Sequence, residues 1–164
     1  MSGGHTLECG AVVSWQGQDY VVGQCVLATG THFSWRAAEL VPAAAGETVW
    51  LAFCGPDLWE VEDLYGLGPP EQLPVPVDLL TPSRPAEAVE VSGRRFCIVR
   101  FASASFELTT SGGPALFDSG RLLEYAAESE QTRLVVFVSP RRAFAFTAKQ
   151  GVSGELEVYG RPKR

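Results

Sequence analysis

Basic side chains are scarce in the first half of this 164-residue sequence, and their scarcity excludes one class of partner. Residues 1–82 contain a single basic residue, Arg36, against ten acidic residues, whereas residues 83–164 carry a formal charge of +3 within a total of −6. An acidic surface repels phosphate groups, so we expect no nucleic-acid partner. The basic tail at residues 161–164 is too short to change that expectation.

Long apolar runs and closely spaced cysteines are also missing. No stretch of about 18 apolar residues is present, so we expect no membrane-spanning helix and no direct membrane insertion. Residues 1–5 lack the basic and apolar regions of a secretory signal. These absences favour a cytoplasmic protein with reduced core cysteines, although the even count leaves a disulfide open. The cysteines are Cys9, Cys25, Cys54 and Cys97.

Motifs for catalysis, metal binding and phosphate binding are absent from the sequence. It contains no Cys-x-x-Cys pair, no Gly-x-Ser-x-Gly elbow and no Gly-x-x-x-x-Gly-Lys loop. Histidine, the usual acid or base near neutral pH, occurs twice, as His5 and His32. We therefore expect no metal and no cofactor, and we interpret the chain as a protein that is not an enzyme.

Turn-forming residues are abundant and favour an all-β fold. The chain has 17 glycines and 11 prolines, which suit many short strands better than helices. Gly17 and the Ser92-Gly93 pair each separate two segments of alternating apolar residues, which is typical of a hairpin. Residues 48–54 and 58–63 predict two further strands, and the second alternates Trp59 and Val61 with Glu60 and Glu62.

The sequence divides into two halves around a proline-rich stretch. Six prolines lie in residues 68–86, which we interpret as an extended connector because proline is excluded from mid-sheet positions. We predict two small barrel-like or sandwich β units, residues 1–67 and 87–164, packed together. Short similarities between the halves, such as residues 35–39 and 125–128, favour an internal repeat, for example a duplicated SH3-like motif.

Scattered glycines and aromatics carry a family resemblance. Residues 10–13 with 15–22 are similar to a "Gly-x-x-Val … Gly-x-x-Tyr-x-Val" opening, and Trp35, Glu39 and Leu40 are similar to a "Trp-x-Glu-x-x-Leu" element with a different spacing. In these features the chain resembles the bacterial family called domain of unknown function 4178. The resemblance implies a β-rich bacterial domain, with a link to polyamines and membrane stress, and it implies no catalytic residues.

An acidic and aromatic cluster is the candidate site in the first half. Aromatic ring faces attract ammonium groups, and carboxylates attract cations, so together they could hold an amine. The alternatives are a tryptophan core and a solvated acidic face. The candidate ligand-binding residues are Trp35, Trp50, Trp59, Asp57, Glu60 and Glu62.

Three functions remain open from the sequence. The first is a non-enzymatic binding or adaptor domain that engages a basic protein partner, a polyamine or another cation. The second is a small enzyme acting on polyamine or peptide substrates, with His32 and a carboxylate as acid and base. The third is a structural subunit of a larger assembly, which an exposed apolar sheet edge would indicate.

Overall fold

The structure is a computed structural model that describes residues 7–68, 87–127, 131–151 and 155–160. Among these residues, 73% lie in strands and none lies in an α-helix, which confirms the predicted all-β fold class. None of the described residues forms a helix long and apolar enough to cross a membrane. The strands are β1 (Val12–Trp15), β2 (Gln18–Thr29), β3 (Ser34–Pro42), β4 (Val49–Cys54), β5 (Asp57–Gly68), β6 (Ala88–Val91), β7 (Arg94–Thr110), β8 (Leu116–Ala127), β9 (Thr132–Val138), β10 (Ala143–Gln150) and β11 (Leu156–Gly160).

Both predicted glycine hairpins are present. Gln16 and Gly17, between β1 and β2, have φ angles of 52° and 80°, and Ser92 and Gly93, between β6 and β7, have φ angles of 52° and 77°. Two consecutive positive φ angles define the tight turn whose twist matches that of paired strands. Glycine at the second position makes this conformation accessible, so local sequence determines both hairpins.

The strands form one barrel, so the expectation of two separate β units is wrong. The strand order is β11-β1-β2-β3-β4-β5-β10-β9-β8-β7-β6, and β2 also pairs with β7. Eight strands, β2 to β5 and β7 to β10, therefore close into a barrel to which β1, β6 and β11 are added. A single barrel can form because β5 and β7 are long. They have 12 and 17 residues and extend beyond their hairpin partners, so they can pair with further strands. Of the proposed connector, residues 68–86, all but Gly68 at the end of β5 lie outside the described part of the chain, so the connector stays a prediction.

Contacts within the chain divide it into two compact units that do not follow the sequence halves. Unit 1 comprises the described residues of Met1–Glu60, Glu107–Phe117 and Gln150–Arg164, and unit 2 comprises those of Val61–Phe106 and Asp118–Lys149. Both units therefore take segments from both halves of the sequence.

Strand β4 in unit 1 has buried residues on both of its faces. Leu51 belongs to an apolar cluster on one face, while Ala52, on the other face, is equally inaccessible to solvent. A strand buried on both sides reads as a continuous apolar run, as residues 49–53 do. The cluster consists of Leu7, Ala11, Val13, Trp15, Tyr20, Val22, Cys25, Ala38, Leu40, Leu51, Phe53, Leu58 and Leu156.

Unit 2 has an apolar cluster of its own and a buried charge network. Glu124 on β8 is 5% exposed, and its two carboxylate oxygens accept hydrogen bonds from Arg100 Nε at 3.1 Å and Arg133 Nε at 3.2 Å. Two guanidinium partners offset the cost of removing this carboxylate from water. The cluster consists of Val89, Val91, Phe96, Leu123, Tyr125, Leu134, Val136, Val138, Ala143 and Ala145.

Gly120 on β8 provides a test of the packing in unit 2. A Cβ atom at this position would overlap the Val138 carbonyl oxygen of the neighbouring strand, which is backbone and is held in the β8–β9 ladder. We predict that Gly120→Ala lowers the free energy of unfolding by about 1–3 kcal/mol, as overpacking does. Urea denaturation followed by far-ultraviolet circular dichroism measures the change.

Gly113→Ala is the matched control for that substitution. A Cβ atom at Gly113 would meet only the Thr110 hydroxyl oxygen, at 3.0 Å, in an exposed turn. The control should change the free energy of unfolding by no more than about 0.5 kcal/mol. Equal stability of the two variants would contradict the close approach of β8 and β9 at Gly120.

Candidate functional site

Two of the three tryptophans of the predicted site are buried and pack against each other. Trp35 and Trp59 are 2% and 5% exposed, and their ring centroids lie 5.7 Å apart at an angle of 54°. The register of β3, β4 and β5 places Trp35 opposite Cys54 and Trp59 opposite Ala52, on one face of the sheet. Trp50 is half-buried and lies opposite Glu39. The two buried rings therefore leave little surface for a ligand.

The two glutamates of the predicted site do not converge on those rings, whereas Asp57 leaves β5 on the same face as Trp59. Glu60 and Glu62 alternate with Trp59 along β5 and leave the strand on the opposite face. Glu62 forms an ion pair with Arg94 at 3.4 Å, and Glu60 is half-buried beside Gly151. Asp57 is exposed at the start of β5, opposite Cys54. The structure thus brings Trp35 and Trp59 together and separates them from the two glutamates.

His32 lies in the exposed bend between β2 and β3. In the part of the chain that the structure describes, no hydrogen bond or ion pair engages its side chain. It is not among the residues of any described cavity. His5 lies outside the described residues.

A cavity of about 420 Å³ in unit 1 brings together a different set of side chains, and we call it the Arg36 pocket. Its volume falls within the range of small-molecule sites. It combines thiols, carboxylates, one guanidinium group and apolar side chains. It is lined by Leu7, Glu8, Cys9, Cys25, Leu27, Arg36, Glu107 and Thr109.

A bulge in β2 orients the first wall of the Arg36 pocket. The β2–β3 register passes from Val22↔Leu40 to Cys25↔Ala38, so two residues of β2 oppose one residue of β3. Because the extra residue resets the alternation, Val22 and Cys25 both face the apolar cluster of unit 1. Arg36 on β3 lies directly opposite Leu27, the next β2 residue of this wall.

The second wall of the Arg36 pocket comes from β7 and from the segment that precedes β1. Glu107 and Thr109 are two residues apart on β7, so they face the same side. The Cys9 thiol donates to the Thr109 carbonyl oxygen at 3.3 Å, and the Cys25 thiol donates to the Leu7 carbonyl oxygen at 3.2 Å. These two hydrogen bonds tie the leading segment to β7 and to β2.

The charges of the Arg36 pocket are not neutralised within the protein. Among the described residues, no ion pair within 4 Å engages Arg36, Glu8 or Glu107. By sequence, the segments of unit 1 carry nine carboxylates and four basic residues, for a formal charge of −5. The pocket therefore presents charges of both signs to solvent, on a unit that attracts cations.

The Cys25 thiol stays protonated in this environment. Burial is the main cause that raises its pKa, to about 12, and the neighbouring Cys9 thiol adds to the effect. Arg36 lowers the pKa and Glu8 raises it, both more weakly. Because a thiolate is the reactive form of cysteine, Cys25 is a hydrogen-bond donor in the reduced protein and reacts with reagents in solution more slowly than an ordinary thiol.

Sequence reasoning missed the Arg36 pocket. Its residues are separated by up to 102 positions, and no motif links Cys9 or Cys25 to Glu107. One signal was present in the sequence. Arg36 is the single basic residue in residues 1–82, and an isolated cation in an acidic segment is expected to have a charged partner. The cysteines were expected to be reduced core residues, and all four are free.

Comparison with known proteins gives no match to a family model, to a curated protein or to a solved structure. The resemblance to domain of unknown function 4178 stays a prediction.

The pKa of Cys25 generates a test by alkylation. At pH 8, we expect iodoacetamide to modify Cys9 well before Cys25, because Cys9 is half-buried, whereas Cys25 is 9% exposed and its raised pKa keeps the thiol protonated. Peptide mass spectrometry of timed samples measures both rates. In urea the two cysteines should react alike, and equal rates in the folded protein would contradict the buried, protonated state of Cys25.

Proposed function

We propose that unit 1 is a non-enzymatic binding domain and that the Arg36 pocket takes a small amine that also carries a carboxylate group. The observation that carries the proposal is the presence of unpaired charges of both signs on one cavity of ligand size. Buried or half-buried charges that lack a partner in the protein are available to a ligand with the complementary charges.

The amine end of such a ligand matches the two glutamates. Glu8 is exposed at the pocket and Glu107 is half-buried, so one carboxylate is accessible from solvent and the other lies deeper. An ammonium group has three donors and forms charge-assisted hydrogen bonds with carboxylates. The formal charge of −5 on the segments of unit 1 would raise the local concentration of cations.

The carboxylate end of the ligand matches Arg36. A guanidinium group is planar, permanently charged and suited to bidentate recognition of a carboxylate. Arg36 is half-buried, and a ligand that carried only positive charge would meet repulsion there. The pocket therefore favours an amino acid or a related zwitterion over a simple polyamine.

This proposal keeps the expected binding function and moves its location. The expectation placed a cationic ligand or a basic protein partner on the acidic and aromatic cluster, where Trp35 and Trp59 are buried. The charged groups of the Arg36 pocket line a concave cavity, which supports a small molecule more than a flat protein face. Among the described residues, the enzymatic alternative has no comparable support, since His32 is not one of the residues that line this cavity.

Lysine and cadaverine form a matched pair of probes, because lysine is cadaverine with an added carboxylate. We expect the protein to bind lysine more tightly than cadaverine in isothermal titration calorimetry. Arg36→Gln should abolish this preference, and Glu107→Gln should weaken both ligands about tenfold or more, as loss of a hydrogen bond to a charged group does.

Glu47→Gln is the control, because it removes the same charge from an exposed position of unit 1 outside the pocket. It should leave both affinities within about twofold of the original. Absence of lysine binding, equal affinity for the two probes, or equal effects of Glu47→Gln and Glu107→Gln would overturn the proposal.

A structural subunit is a second candidate, and the edge of the sheet favours it. Strand β11 stands at one end of the strand order and exposes Val158 and Tyr159 by 38% and 58%. Val12, Val21 and Val41 occupy consecutive register positions on β1, β2 and β3 and are each exposed by about 40%. An end strand with unpaired backbone groups is a template for pairing with a second copy of the chain.

Light scattering after size exclusion tests this second candidate. If β11 pairs with its copy, the protein should elute as a dimer at high concentration, and Val158→Lys should shift it to a monomer because charge on an edge strand opposes pairing. Val99→Lys, at a position exposed by 54% in unit 2, is the control. A monomer at all concentrations would eliminate this candidate.

A further inference from the structure

Cys9 and Cys25 are neighbouring thiols that both line the Arg36 pocket. They come from different elements, the segment before β1 and the strand β2, and both contact the apolar cluster of unit 1. Their side chains lie within hydrogen-bonding reach of each other. The other two cysteines, Cys54 and Cys97, are not among the residues that line this cavity.

The two thiols differ in their access to solvent. Cys9 is half-buried and lines the cavity, so a small oxidant in solution reaches its sulfur directly. Cys25 is 9% exposed and lies against the core. An accessible thiol beside a sheltered one is the usual arrangement of an attacking and a resolving cysteine.

The hydrogen bonds of both thiols leave the sulfur atoms available for bonding. Each thiol donates its hydrogen to a backbone carbonyl, Thr109 O for Cys9 and Leu7 O for Cys25. Each bond holds its thiol against the backbone of another element, and neither bond uses a sulfur lone pair.

We propose that Cys9 and Cys25 are a reversible redox modification site, which peroxide converts to an intramolecular disulfide in the wall of the Arg36 pocket. The Cys9 thiolate attacks hydrogen peroxide and becomes a sulfenic acid, and one water molecule leaves. The Cys25 sulfur then attacks the sulfenic sulfur, and a second water molecule leaves with the hydroxyl of Cys9 and the proton of Cys25. Two thiols are oxidised and one peroxide is reduced, so electrons and atoms balance.

Oxidation also changes the chemistry of the pocket. The disulfide has no thiol hydrogens, so the Thr109 and Leu7 carbonyl oxygens lose the donors that they have in the reduced protein. These two carbonyl oxygens are then free acceptors in the same cavity as Glu8 and Glu107. The disulfide itself does not depend on the proposed ligand, and its formation is tested without one.

The experiment uses the full chain in a Cys54→Ser/Cys97→Ser background, which leaves only the proposed pair. We expect treatment of the folded protein with hydrogen peroxide to remove two hydrogen atoms from the intact mass. Proteolysis should then yield a Cys9–Cys25 linked peptide, and dithiothreitol should restore the original mass. A stable sulfinic acid on Cys9 with free Cys25, or links only between molecules, would overturn the proposal.

Phenylarsine oxide gives a second readout that needs no oxidation, because its arsenic atom bridges two neighbouring thiols. The folded background protein should bind one equivalent, and Cys9→Ser, at the half-buried position, should bind none. Circular dichroism establishes that the variant is folded. Equal uptake by the background protein and by Cys9→Ser would contradict the adjacency of the thiols, and absence of uptake by both would do the same.

Discussion

The pairing of β2 with β7 is the interaction on which the rest of this structure depends. The other barrel pairings join the eight strands into an open sheet that begins at β2 and ends at β7. The β2–β7 pairing joins these two end strands and closes the sheet into a barrel. Closure satisfies backbone donors and acceptors that would otherwise form two exposed edges. It also places Glu107 and Thr109, from the end of β7, beside residues of β2. The fold and the candidate pocket therefore have the same origin.

Two clusters of charged residues differ in whether their charges are paired within the protein. Glu124 accepts hydrogen bonds from Arg100 and Arg133 and is almost inaccessible to solvent, so its charge is used to hold unit 2 together. Arg36, by contrast, shares a cavity with two glutamates and has no ion pair with either of them. Charges that are neutralised internally stabilise a fold, whereas charges that face a cavity select what enters it.

Local features of the sequence predicted the strands and hairpins. The pairings between distant strands could not be predicted from them. Gly17 and Gly93 mark their hairpins because a positive φ angle is a property of the turn itself. The pairing of β5 with β10 joins residues far apart in the chain, and the prolines between the halves obscured it. Composition could not tell whether Trp35 and Trp59 face a core or a ligand, because β4 and its neighbours are buried on both faces. The alternation of Glu60 with Trp59 was predicted correctly. It is the reason that Glu60 and Glu62 lie on the face of β5 opposite to the tryptophan rings.

Nuclear Overhauser contacts between the segment before β1 and the end of β7 test the central claim most directly. The closed barrel places the Cys9 thiol 3.3 Å from the Thr109 carbonyl oxygen and the Ser111 amide nitrogen 3.4 Å from the Gly23 carbonyl oxygen. The account predicts cross-peaks from Thr109 and Ser111 protons to protons of residues 9 and 23–25. Cross-peaks confined to sequential neighbours, with the Ser111 amide exchanging as fast as in an unfolded chain, would contradict both the closure of the barrel and the existence of the pocket.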